Sequence, residues 1–226
     1  MAQNFFEKAT VIDPSFAAPY AGLARVVCRV AYSYQTMSLS EAARAAERLA
    51  RQALALDPAL AVAYAWLGQA MYFIGDLEGC IQQCDQGLSF DGNCDGAHGF
   101  KGAALVFAGR RAEGRQSLRT CLRLDPRGPA RATRFVEIAI SHYLDGDYEL
   151  CAKTSRQVLR QYPDLAAAYR FLLAALGQLG RQAEGEALIK ISPAGYDYYA
   201  HHRPPWFQPA DHTHMLEGMR KAGWSE

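Results

Sequence analysis

The sequence has almost no net charge, no long apolar run and no catalytic signature, and each absence removes a class of function. Twenty-four Lys and Arg stand against 23 Asp and Glu, a formal charge of +1. No basic excess therefore directs the chain to nucleic acid or to an anionic membrane surface. No apolar run approaches the roughly 18 residues of a spanning helix, and the opening MAQNFFEKATV lacks the basic start and apolar centre of a signal peptide. The chain reads as cytoplasmic. Six cysteines (Cys28, Cys80, Cys84, Cys94, Cys121 and Cys151) are too sparse in 226 residues for the disulfide framework of a small secreted domain, so reduced thiols are expected. There is no G-x-x-x-x-G-K-[ST] loop, no G-x-S-x-G elbow and no H-E-x-x-H helix. An enzyme has no residues to stand on, and no catalytic residue or cofactor is expected.

What the sequence does have is a period. The stretches VIDPSFAAPYAGLA, ALDPALAVAYAWLG, SFDGNCDGAHGFKG and RLDPRGPARATRF each carry an Asp, a Pro or Gly, and then a new amphipathic run. The markers Pro14, Pro58, Gly92, Pro126 and Pro163 are separated by 44, 34, 34 and 37 residues. Within the unit after Pro58, Tyr64, Leu67, Gly68 and Met71 precede Gly75, and Cys80, Cys84 and Gly87 follow it. Later units repeat the arrangement around Gly102, Gly109 and Cys121, around Gly146 and Cys151, and around Gly180 and Gly185. Close packing explains these types: antiparallel helices approach to about 8 Å only where small side chains line the contact. Gly68, Gly102, Cys80 and Cys151 read as spacers. Gly75, Gly109, Gly146 and Gly180 suit the left-handed residue that ends a helix, and the Asp-Pro pairs stop one unit and start the next.

This pattern resembles the tetratricopeptide repeat family, whose period is 34 residues. The resemblance implies an all-α fold: a right-handed superhelix of stacked antiparallel helix pairs, with an extended tail and a C-terminal capping helix. The array occupies 1–193, as a half repeat 1–14, repeats at about 17–58, 61–94, 95–128 and 132–165, and a short repeat 166–193. A tail rich in aromatics and proline occupies 194–226. Four departures stand out: His98 where an aromatic is usual, Lys101 where Leu is usual, three extra residues before the unit at Phe135, and about ten extra residues around Tyr32 to Ser40, which lengthen both helices or form a protruding loop. The opening half repeat implies a chain cut from a longer protein. The closing MLEGMRKAGWSE, with units of the YAGLA and LGQLGRQAE style, resembles the C-terminal tetratricopeptide region of bacterial class III adenylate or guanylate cyclases. No cyclase catalytic segment is present, so no nucleotide-cyclising residue carries over.

Metal chemistry has weak claims. Asp91, Asn93, Asp95 and Gly96 match the opening of a calcium loop, but Gly102 stands where the twelfth, acidic ligand is needed, which leaves a polar turn. Cys80 and Cys84 could share a helix face, yet zinc wants four ligands in two clusters. His201, His202, His212 and His214 are separated by a proline-rich stretch and read as solvated or capping. No metal is expected.

In such a superhelix the first helix of each pair lines the concave side. Register places Arg25 and Arg29 there from the first full unit, and Trp66, Gln69, Tyr72 and Phe73 from the second. Phe100 and Phe107 follow from the third, Glu137 and Tyr143 from the fourth, and Arg170 and Phe171 from the fifth. An aromatic groove with anchoring arginines suits an extended apolar or proline-containing segment of a protein or peptide partner, possible partners including another domain of the parent chain or a second copy. The sequence thus points to a noncatalytic interaction scaffold, the regulatory or oligomerising region of a larger signalling protein. The alternative is a small-molecule- or metal-sensing module of a nucleotide cyclase or transcription regulator. In DYYAHHRPPWF, residues 197 to 207, the aromatics Tyr198, Tyr199, Trp206 and Phe207 are expected to pack back on the array as an extended segment, ahead of a capping helix from about Pro209 to Ala222.

Overall fold

The computed structural model describes residues 2–34 and 37–225, with the backbone alone at 33 and 34. Its helices begin with α1 (Ala2–Ile12), α2 (Ala18–Tyr34), α3 (Leu39–Leu56), α4 (Ala61–Phe73), α5 (Leu77–Phe90) and α6 (Asp95–Phe107). They continue as α7 (Arg111–Leu124), α8 (Arg131–Leu144), α9 (Tyr148–Gln161), α10 (Ala166–Gln178) and α11 (Gln182–Ile191), and close with the single turn α12 (Tyr198–His201) and α13 (Pro209–Lys221). No strand occurs among the described residues.

Local chemistry sets the punctuation. Asp57 ends α3 by donating its backbone N–H to Ala53, and its carboxylate accepts from the N–H of Ala59 at 3.0 Å. Asp91 accepts from Asn93 in the same way at 2.9 Å, so the calcium-like stretch is an inter-repeat turn. Three such turns carry a second tie: Tyr20 and Tyr64 donate their hydroxyls to the carbonyls of Pro14 and Pro58, and His98 Nε2 meets the carbonyl of Gly92 at 3.1 Å. His98 thus preserves a hydrogen bond that the usual tyrosine makes. Gly75, Gly109, Gly146 and Gly180 all have φ between 70° and 86°, the left-handed conformation that ends α4, α6, α8 and α10.

The helices form two layers. α2, α4, α6, α8 and α10 stand side by side as the inner row, each against the next, and α1, α3, α5, α7, α9 and α11 back them on the outside. Small residues set the layer spacing: α3 buries Ala42, Ala43, Ala46, Ala50 and Ala53, and a side chain on Gly68 would meet Cys84 Sγ at 2.9 Å. The Cys80 thiol donates to the carbonyl of Phe100, and 71 residues on Cys151 does the same to Phe171, at 3.7 and 3.6 Å. These cysteines join one outer helix to the next inner one. The extra length around Tyr32–Ser40 goes into longer helices, 17 residues in α2 and 18 in α3 against 13 in α4, with Ser38 and Glu41 forming a capping box; residues 35 and 36 lie outside the described residues.

After α11 the chain turns back along the concave side. Arg170 on α10 holds the carbonyl of Tyr196, and Trp206 reaches α4, where it stacks on Tyr72. Phe207 then packs on Phe107 and Phe171, and α13 returns to lie against α10 more extensively than α11 does. Gly218 of α13 sits against the backbone of Ala174 and Gly177, where neither glycine has room for a side chain. The capping helix therefore takes the place of the next inner helix. The tail is less extended than the sequence suggests, because residues 198–201 coil into one helical turn. Tyr198 stays exposed, stacked on His202, since that turn points it away from the array.

Candidate functional site

The concave face is divided in two. Its C-terminal half, where sequence register places Tyr72, Phe73, Phe107, Tyr143, Arg170 and Phe171, is filled by the chain's own tail. Trp206 lies 4.6 Å from Tyr72 and 6.3 Å from Phe73, centroid to centroid, and the Tyr143 hydroxyl donates to the carbonyl of His214 at 2.8 Å. Arg170 is buried beneath Tyr199, its guanidinium 5.1 Å from that ring, with no carboxylate paired to it among the described residues. Burial pushes its pKa down to about 10. These side chains, expected to face a partner, have an occupant from the same polypeptide.

The N-terminal half is open. A cavity of about 330 Å³ lies among α2, α4, α6 and α8, and it brings together Arg25, Arg29, Trp66, Gln69, Phe100 and Glu137. Trp66 meets Phe100 edge-on at 5.0 Å. Glu137 accepts from Arg134 Nη1 through both carboxylate oxygens, at 2.9 and 2.8 Å, with both residues buried. Burial raises the Glu137 carboxyl above its ordinary range, while the Arg134 guanidinium pulls it the other way. Arg134 also covers the Phe100 ring at 5.0 Å, and its Nε is buried without a hydrogen-bond partner. The sequence reading missed Arg134. Its signal was an Arg one turn before Glu137 on the same helix, the spacing of an i, i+3 ion pair.

Solved structures of helical repeat proteins superpose on this chain along most of its length. The fold is that of a tetratricopeptide superhelix. The crystal structure of PilW, a type IV pilus biogenesis factor, has a TM-score of 0.62 at 17% identity and covers 88% of this chain and 89% of its own. YrrB, a TPR protein with an unusual peptide-binding site, has a TM-score of 0.56 at 14% identity and covers 95% of this chain and 97% of its own. MamA gives 0.56 at 16% identity, over 67% and 86%. No protein-family profile and no curated sequence matches the chain. At these identities the likeness carries the fold alone.

The histidine pairs of the tail have separate partners. His201 and His202 are exposed, while His212 Nε2 meets the carbonyl of Tyr199 at 2.8 Å and His214 Nε2 meets the Tyr148 hydroxyl at 3.1 Å. Among the described residues no group of three or more His, Cys, Asp or Glu is placed to hold a metal. No helix there is long and apolar enough to cross a membrane.

Proposed function

We propose that the chain is a noncatalytic protein-interaction scaffold, an array at 1–193 closed by a tail at 194–226, which holds an extended segment of a partner protein in the open half of its concave face. One observation carries this reading. The open cavity is lined by recognition groups, Arg25, Arg29 and Gln69, that make no hydrogen bond or ion pair among the described residues, beside the aromatic pair Trp66 and Phe100. Groups of this kind, left unpaired on a rigid concave wall, fit a bound chain better than a structural role. Tyr72 and Phe73 form the floor where the cavity meets the tail, and Phe107, Tyr143, Arg170 and Phe171 anchor the tail itself.

The MLEGMRKAG close supports a wider context, a regulatory or oligomerising region of a bacterial signalling protein of the class III cyclase kind, working in the cytoplasm on another domain of the parent chain or on a separate protein. The test is capture on a peptide array. Binding lost on Trp66→Ala with helix content unchanged supports the reading, and no binding by any array member sinks it.

A second reading has one observation of its own. The cavity volume of about 330 Å³ lies in the range of small-molecule sites, roughly 300–1,000 Å³. A melting scan with nucleotides and divalent ions decides it: a clear rise with one compound selects a sensing module instead.

A further inference from the structure

Arg170 on α10 is 6% exposed, and no carboxylate pairs with it among the described residues. A buried charge without a counter-ion is costly, and this one has only partial compensation. Its Nη1 donates to the carbonyl of Tyr196 at 3.0 Å, and the rings of Tyr199 and Phe171 lie 5.1 and 5.8 Å from the guanidinium. A carbonyl dipole and two ring faces attract a cation less strongly than burial penalises it. Nε and Nη2 have no hydrogen-bond partner among the described residues, so two of the three nitrogens still offer N–H donors. Arg134 shows the contrast: that guanidinium is as deeply buried and binds both oxygens of Glu137.

The acids around Arg170 are engaged. Glu137, the one acid among the residues lining the cavity beside Arg170, is taken by Arg134. Asp197 accepts from the Trp224 indole at 3.3 Å and lies 3.6 Å from His201. One positive charge is therefore left over between the array and the tail. The cavity beside it measures about 90 Å³, several times the roughly 10–15 Å³ that one water needs. Tyr32 and Thr133 reach it from the array and Tyr199 from the tail, each with a hydroxyl that has no hydrogen-bond partner among the described residues. Pro204 and Trp206 close it with apolar surface.

We infer that a small monovalent anion, of the size of chloride or formate, binds in this cavity on the unbonded edge of Arg170 and fastens the tail to the array. The match is one of charge and of size. A monovalent anion offsets the single surplus charge, whereas a divalent one would reverse the imbalance and lose more hydration on entry. The apolar walls strengthen the attraction by lowering the local dielectric. Because Tyr199, Pro204 and Trp206 belong to the tail, the site is complete only while the tail is seated, and an anion bound there stabilises the seated form by linkage. Nothing in this site depends on the partner held in the open half of the groove.

The experiment follows urea unfolding of the full chain at fixed ionic strength, starting in sodium gluconate, whose anion is too bulky for the cavity, and replacing it stepwise by chloride or by formate. The midpoint should rise with the logarithm of the small anion's concentration, by about 0.5 M urea per tenfold once the site is filling. A rise with either anion supports the site, and the larger of the two names the one it prefers. In Arg170→Gln the dependence should vanish. Crystals of the parent chain grown in sodium bromide should show an anomalous peak within hydrogen-bond reach of Arg170, a readout that holds even where the variant does not fold. Equal midpoints in gluconate and in both small anions would overturn the inference, as would a dependence that survives Arg170→Gln or bromide bound only at other places.

Discussion

Trp206 in the tail stacks on Tyr72 of α4, with ring centroids 4.6 Å apart and planes 22° from parallel. The contact joins the end of the chain to its second full helix pair. Trp206 is 5% exposed and also touches Phe73 and Tyr199, so Trp206→Ala should cost about 3 kcal/mol. Urea denaturation followed by circular dichroism reads this. Deleting residues 194–226 should go further, exposing Tyr72, Phe107 and Phe171 together and causing aggregation. An unchanged midpoint and a monodisperse truncation would show that the tail holds nothing.

The glycines separate by mechanism. A side chain at Gly177 would run into the backbone of Gly218, so Gly177→Ala must force α10 and α13 apart and should cost about 3 kcal/mol. Gly109 has φ +86° with nothing within 4 Å of its would-be side chain, so Gly109→Ala meets only backbone strain of about 1 kcal/mol. Thermal melts of the two variants should keep this order.

The buried Arg134–Glu137 pair should behave asymmetrically. Glu137→Leu leaves a buried guanidinium without its carboxylate and should cost about 3 kcal/mol, whereas Arg134→Met with Glu137→Leu should return close to the parent stability. A double-mutant cycle in urea measures both. Equal losses in the single and double variants would show that the pair does not act as a unit.

The cysteines predict a pH dependence. All six are buried, and burial pushes Cys28 and Cys151 up to about 12 and Cys121 to about 11, from an ordinary thiol near about 8.5. A pKa raised in the folded state contributes stability that is present below the unfolded value and lost as pH climbs through the folded one. The urea midpoint should therefore fall between pH 8.5 and 11. At pH 8 a thiol reagent should react with the native protein slowly and with the denatured protein at all six sites.

Most of the frame was legible because repeats write local chemistry into the sequence. Gly75, Gly109, Gly146 and Gly180 announced the helix ends through the one conformation that favours glycine, and Cys80 and Cys151 announced a shared packing position. His98 looked like a departure only because a ring nitrogen and a phenol look different on paper, although both reach a carbonyl six residues back. The division of the groove was not legible. Whether Trp206 meets Tyr72 or a later repeat depends on how far the superhelix carries α4 from α11, and no local pattern encodes that distance. Arg134 was harder to read for a related reason: its i, i+3 spacing to Glu137 stands in the sequence, but only the assembled array buries both residues.

α13 occupies the place of a further inner helix while Trp206 rests on α4, so the tail acts as a ruler. Inserting one more helix pair before residue 192 would carry α13 a repeat onward and leave Trp206 short of Tyr72, with bare aromatics at one end or an unseated cap at the other. The number of repeats cannot drift by duplication, as it can in an open-ended solenoid, without a matching change in the length of the tail.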